Sequence, residues 1–403
     1  MKILIINQPL NNRGDEAAHK ALLRALINHI PNIRIRVLFL GEYTDTIRQF
    51  DVNLDSVEYV CLKPRKATCF MVPVLKNGFH FLWNLHPTTR KMIEIYKWAD
   101  WVVCAPGGIC MGGFQNWTHL FYLYLAKYVN KPLAYFGRSF GPFPVESKDN
   151  MRFKAISMEL LNYFAFCSIR DKKTESIAID LKVNYKTTLD TAFLESPIVD
   201  IPKEIREQIS TSKYVVFVPN ALIWHYAYKN KTNYREVISF YNKMVDIIET
   251  KYCEHNIVLL PQTFNYLDKY ANDVNFFRDL KKEANRKNII VIDDIYSSDI
   301  QQSIIKNASC VIGARYHSVV FSINQCVPFV ALSYEHKISG MLETLNKTDC
   351  MVDITKAFDN KDSMEKCILD FEAALNRAFP DISAMEKAKR ITTDAFMQFV
   401  KIL

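Results

Sequence analysis

Short apolar runs alternate with amphipathic helical stretches in two sets along the 403 residues, and the alternation lapses once between them. The first set of runs is KILIIN (2–7), RIRVLFL (34–40), VEYVCL (57–62), WVVCAP (101–106), PLAYFG (132–137) and YFAFCSI (163–169). Helical patterns fit from Asp15 to His29, over 117–129 and over 148–161. The second set is YVVFVPN (214–220), NIVLLPQ (256–262), NIIVIDD (288–294), SCVIGA (309–314) and PFVALS (328–333). Helices are expected there over 234–252, 267–286, 298–307 and 316–325. Strands that alternate with helices build a parallel sheet covered on both faces, and the chain is too long for one ordinary core. The expected fold is therefore α/β: two Rossmann-like domains facing a cleft (GT-B-like), with mainly parallel sheets. Its parts are an N-terminal domain over 1–195, a linker over 196–212 with two prolines, a C-terminal domain over 213–360 and two amphipathic helices over 361–403.

Several function classes fall away on composition. No stretch approaches the roughly 18–20 apolar residues of a membrane span, and MKILIINQPL is too short for a signal-peptide core. The ten cysteines are scattered singly, with no C-x-x-C pair and no spaced Cys/His zinc pattern. They read as buried free thiols of a reducing compartment, so a cytoplasmic protein without a metal is expected. The net charge of +8 favours an anionic substrate or surface. Nucleic acid is disfavoured, since no run of basic residues and no recognisable binding motif is present.

Ligands of such folds sit at the carboxyl ends of the strands, and most of the glycines fall at those ends. The stretch GARYHSVV (313–320) is the most informative. Gly313 closes a strand, and Arg315 to His317 open the next helix. A helix N-terminus favours anions, Arg315 adds a fork suited to carboxylate or phosphate, and His317 adds a group able to donate a proton near neutral pH. The pair suits an anionic substrate whose reaction needs an acid. The alternative is a capping or core histidine beside an interdomain salt bridge.

The longer segment GARYHSVVFSINQCVPFVALSYEHK (313–337) resembles the C-terminal signature of the polysaccharide pyruvyl transferases. NNRGDEA (11–17), PGG (106–108), GRSFGPF (137–143), SIRDKKTESI (168–177), LDTAF (189–193) and LLPQT (259–263) agree with that family in order. Ala314 and Tyr316 depart from its usual Met and Leu, Arg138 from Gln, and Thr191 from Pro. The resemblance implies transfer of pyruvate from phosphoenolpyruvate to two hydroxyls of a sugar, giving a cyclic ketal and phosphate, with no cofactor and no metal. On this basis His317 is the expected acid and Arg315 the ligand of the donor's carboxylate or phosphate.

Arg170 matches the family's arginine and is the expected second donor-binding cation, the alternative being a pair with Asp171 or a helix end. His119, Arg138 and Lys337 complete the expected donor-binding set, although His119 also fits as a cap and Lys337 as a solvated loop residue. On the acceptor side, Asp15, Glu16 and Asn12 follow the first strand. Acids in a first helical turn are favoured by the dipole without any function. Asp190, Trp117 and Trp224 are further acceptor candidates, a cap and packing residues being the plainer readings. The segment 63–91 mixes Lys63, Arg65, Lys66 and Lys76 with Phe70, Phe79, Phe81 and Trp83. It fits either a peripheral patch on an anionic leaflet, apt for a lipid-linked acceptor, or a buried helix. Two rival functions share the architecture: a nucleotide-sugar glycosyltransferase and a non-catalytic protein that binds anionic glycans.

Overall fold

The computed structural model describes residues 1–8, 12–39, 55–62, 72, 86–113, 115–209, 213–225, 228, 230–264 and 272–403. The chain divides into two compact units. The first holds residues 1–10, 18–194 and 391–403, and the second holds 11–17 and 195–390.

In the first unit, seven parallel strands lie in the order β3-β2-β1-β4-β6-β8-β9. They are β1 (Lys2–Gln8), β2 (Arg34–Phe39), β3 (Val57–Cys61), β4 (Trp101–Cys104), β6 (Leu133–Tyr135), β8 (Phe166–Ile169) and β9 (Lys186–Thr187). A separate parallel pair, β5 (Gly107–Met111) and β7 (Arg138–Phe140), sits beyond their ends. Alternation along β1 feeds two cores. Ile3 and Ile5 pack with Val103, Phe136 and Phe399, whereas Leu4 and Ile6 pack with Val102, Cys104 and Phe121. Because both faces are buried, β1 reads as a continuous apolar run rather than an alternating one.

The second unit has six parallel strands in the order β12-β11-β10-β13-β14-β15. These are β10 (Tyr214–Val218), β11 (Asn256–Leu259), β12 (Ile289–Val291), β13 (Val311–Gly313), β14 (Phe329–Ser333) and β15 (Met351–Asp353). In both units the chain builds outward from a central strand, then crosses back to build the other side. The reversals fall between β1 and β4 and between β10 and β13, and such switch points are where open α/β sheets bind ligands.

The α/β class and the parallel sheets are as the sequence implies. Within the expected linker, residues 203–209 form the helix Lys203–Ile209, which buries Ile205 and Ile209. The tail divides differently as well. The helix Lys361–Arg377 belongs to the second unit, while Phe396 and Phe399 of the helix Ile382–Val400 enter the first unit's core beside Phe136 and Phe166. Of the segment 63–91 proposed as a membrane patch, residues 63–71 and 73–85 lie outside the described residues, and 87–91 open the helix Pro87–Trp98. Among the described residues, no helix is long and apolar enough to cross a membrane.

One core group makes the fold sensitive to acid. His19, in the helix Arg13–His29, is buried against the Tyr59 hydroxyl, 3.1 Å from Nε2. Burial, aided by the charge of Lys20, pulls its pKa from 6.5 down to about 3. Below 6.5 the unfolded chain takes up a proton that the folded chain refuses until about 3, so the contribution is intact above that window and is lost as pH falls through it. The loss expected from this one group is about 1.4 kcal/mol per pH unit. Urea midpoints that fall steadily below pH ~6.5, with a shallower slope in His19→Asn, are the expected result.

Candidate active site

The second unit's switch point gathers polar side chains from the carboxyl ends of adjacent strands. Gly313 closes β13, and a Cβ on it would stand 2.1 Å from the Ser318 hydroxyl, so only glycine lets the chain turn here into the helix Tyr316–Asn324. Arg315 is that helix's N-cap residue, with its carbonyl accepting the Ser318 hydroxyl at 2.6 Å. The Arg315 guanidinium pairs through NH2 with Asp273 and lies 5.8 Å from the ring centre of Trp224. Burial alone would pull its pKa down, but the Asp273 carboxylate outweighs this and holds the charge above the usual arginine range. Asp273 is itself fixed, since its other oxygen accepts the backbone N–H groups of Gln262 (3.0 Å) and Thr263 (2.9 Å) beyond β11. Trp224 is 40% exposed, and its indole N–H donates to Asn220 Oδ1 at 2.7 Å beyond β10. An exposed aromatic face beside a fixed guanidinium suits a sugar ring or another flat group.

His317 is 8% exposed, with Tyr316 edge-on at 5.0 Å and Phe321 at 6.2 Å between ring centres. Gly14 closes another side. A Cβ there would lie 1.8 Å from His317 Nδ1, so the first turn of the helix Arg13–His29 rests its bare backbone against the imidazole. This is why residues 11–17 belong with the second unit. Asn12 Oδ1 caps Gly14 N at 2.8 Å, and Asn12 forms an isolated antiparallel bridge with Thr263. Arg13 N donates to the Gln262 carbonyl at 3.0 Å. Glu16, fully buried, accepts the backbone N–H (3.0 Å) and hydroxyl (3.1 Å) of Ser298 and pairs with Arg13 at 2.6 Å. The acceptor candidates Asn12, Asp15 and Glu16 thus sit in the same unit as Arg315 and His317. Glu16 is a buried clasp rather than a group open to a sugar. Lys337 stands 3.4 Å from Glu335 within its own turn.

The first unit holds the remaining candidates, and most prove to be framework. Arg170 meets Asp190 at 2.5 Å in an ion pair with side chains 5% and 0% exposed. Asp171 caps the helix Lys172–Asp180 through Thr174 N at 2.9 Å. Two candidates, one for each substrate, therefore neutralise each other. Asp190→Ala should cost about 3–5 kcal/mol, because it removes the carboxylate paired with a buried guanidinium. Urea unfolding measures this, and a cost below about 1 kcal/mol would mean that Arg170 does not depend on its partner.

Arg138 is 2% exposed, and its guanidinium donates to the carbonyls of Ala105 (2.6 Å), Gly108 (3.2 Å) and Asn7 (3.3 Å) and to Cys110 Sγ (3.3 Å). A fork so engaged ties the ends of β1, β4 and β7 together. His119 is 2% exposed, its N–H capped by Asn116 Oδ1. Burial and then the charge of Arg138 hold its pKa well below the usual histidine range, so it brings no positive charge to a phosphate. Trp117 is core: its ring stands edge-on to Phe153 at 5.1 Å. Among the described residues, no group of three or more His, Cys, Asp or Glu could hold a metal ion.

Sequence reasoning missed Asp273, Gln262 and Asn220. LLPQT did contain Gln262, but only its unpaired burial marks that residue out. Asp273 carries no local signal, because its partner Arg315 lies 42 positions away.

The sequence model of one family, described as polysaccharide pyruvyl transferase, matches residues 12–336. The amylovoran biosynthesis protein AmsJ of Erwinia amylovora is 24% identical over 394 residues, covering 89% of each chain. Among solved structures, the UDP-GlcNAc 2-epimerase of Methanocaldococcus jannaschii aligns with a TM-score of 0.60 at 12% identity, over 99% of this chain and 100% of that one. A putative UDP-N-acetylglucosamine 2-epimerase of Listeria monocytogenes gives 0.58 at 13%, over 99% and 96%. At such identities these two bear on the fold alone.

Proposed function

This chain belongs to the polysaccharide pyruvyl transferase family, and on that premise we propose that it moves the pyruvyl group of phosphoenolpyruvate onto two hydroxyls of one sugar in a polysaccharide or lipid-linked precursor. The observation that carries the reading is the Arg315–His317 pair at the second unit's switch point, each side chain fixed from another strand or helix. His317 delivers a proton to the donor's methylene carbon, which becomes the ketal methyl group. The first sugar hydroxyl adds to C2, the C–O bond to phosphorus-bearing oxygen breaks, and the second hydroxyl closes the ring. Of the two hydroxyl protons, one replaces the proton given by His317 and the other leaves with phosphate. Protonation of carbon is the step that needs a positioned acid.

Arg315 keeps its guanidinium charge although Asp273 is bonded to NH2, and Trp224 covers the guanidinium face. The donor's carboxylate or phosphate therefore meets the remaining N–H groups of a fork that cannot swing away. The decisive assay is phosphate release from phosphoenolpyruvate in the presence of a glycan precursor, set beside nucleoside diphosphate release from nucleotide sugars. Release of phosphate alone supports the proposal. Release of nucleoside diphosphate alone would replace it with the glycosyltransferase reading, and release of neither would favour a binding protein.

A further inference from the structure

Gln262, just beyond β11, is 1% exposed, yet neither its side-chain nitrogen nor its side-chain oxygen has a hydrogen-bond partner. Among the described residues it is the one carboxamide in which both ends are buried and unpartnered. Its backbone is fixed from both sides. The N–H donates to Asp273 at 3.0 Å, and the same carboxylate holds Arg315. The carbonyl accepts Arg13 N at 3.0 Å, one residue before the glycine that rests on His317. Adjacent strand β10 adds Asn220, fully buried, with Nδ2 also unpartnered while Oδ1 accepts Leu222 N and Trp224 Nε1. Buried polar groups left unpaired destabilise a fold. Such groups at a switch point, where open α/β sheets bind ligands, mark a place for a bound substrate to pair with them.

The chemistry of the carboxamide narrows what it meets. Phosphoenolpyruvate near neutral pH offers acceptor oxygens only, so it satisfies the nitrogen and not the oxygen. The oxygen needs a donor, and the sugar brings hydroxyls. A lysine or arginine has no acceptor and a carboxylate no donor, so glutamine is suited to bridging two such unlike partners. Resting on the phosphoenolpyruvate reading, we infer that Gln262 touches both substrates: Nε2 donates to an anionic oxygen of the donor, and Oε1 accepts from the attacking sugar hydroxyl.

The test compares Gln262→Leu and Gln262→Glu in steady-state phosphate release, with both KM values and the melting temperature measured. Gln262→Leu should lose about 100-fold in kcat, raise both KM values, and melt no lower than the native protein, since the unpaired amide is gone. Gln262→Glu keeps an acceptor and loses the donor, so only the phosphoenolpyruvate KM should rise, by about 10-fold or more. It carries the test alone if the leucine variant does not fold. Native kinetics in either variant, a lower melting temperature with unchanged kinetics, or equal rises in both KM values with glutamate would each overturn the inference. Native turnover keeps the two claims apart: without phosphate release by the unaltered enzyme the donor reading fails, whereas release with an indifferent Gln262 overturns this inference only.

Discussion

His317→Ala should lose about 10²–10⁴-fold in phosphate release while binding phosphoenolpyruvate nearly as the native protein does. The split follows from how the site is divided. Arg315 is held by Asp273 and lies against Trp224. The ring of His317 faces Tyr316, Phe321 and the Gly14 backbone, so its removal takes away the acid and leaves the cation in place. His317→Gln keeps some of the volume without the acid and should behave alike. Turnover near native in either variant would remove His317 from the mechanism.

Gly14→Ala should be almost as damaging, although residue 14 need carry no chemistry. The added methyl would sit 1.8 Å from His317 Nδ1 and 1.9 Å from Cγ, closer than any real contact, so the imidazole or the helix turn must shift. A displacement of about 1 Å at a reacting group costs about 100-fold in rate. Stability should also fall, by about 1–3 kcal/mol for the forced shift, less the up to about 1 kcal/mol by which alanine is the better helix former. Gly113→Ala is the control, since a Cβ there meets nothing within 4 Å. A Gly14→Ala enzyme with native kcat would show that the His317 ring does not need that position.

The strand and helix alternation was legible because both faces of each sheet are buried: a strand such as Tyr214–Val218 can only be apolar throughout. The placement of Arg315 and His317 where a helix opens after a strand was legible for a related reason, since Gly313 marks the end of that apolar run. Partnerships were not. Arg170 lies beside Asp171 in sequence but bonds to Asp190, a choice made by the packing of β8 against the segment beyond β9. Arg138 looks like a donor ligand until its fork is found to hold three carbonyls. Residues 11–17 follow a strand of the first unit and read as part of it. Their hydrogen bonds to Gln262 and Ser298 assign them to the second. Such long-range pairs leave no periodic trace, so an isolated sequence shows the residue type and withholds the partner.

The central claim is that Arg315 binds the anionic donor. It is tested most directly by calorimetric titration of phosphoenolpyruvate, and of a panel of nucleotide sugars, into the native protein and into Arg315→Ala. The account predicts saturable binding of phosphoenolpyruvate that weakens by about 10–100-fold in the variant, the loss of one or two charge-assisted hydrogen bonds. Saturable binding of a nucleotide sugar with none of phosphoenolpyruvate, or equal binding of phosphoenolpyruvate by both proteins, would contradict it.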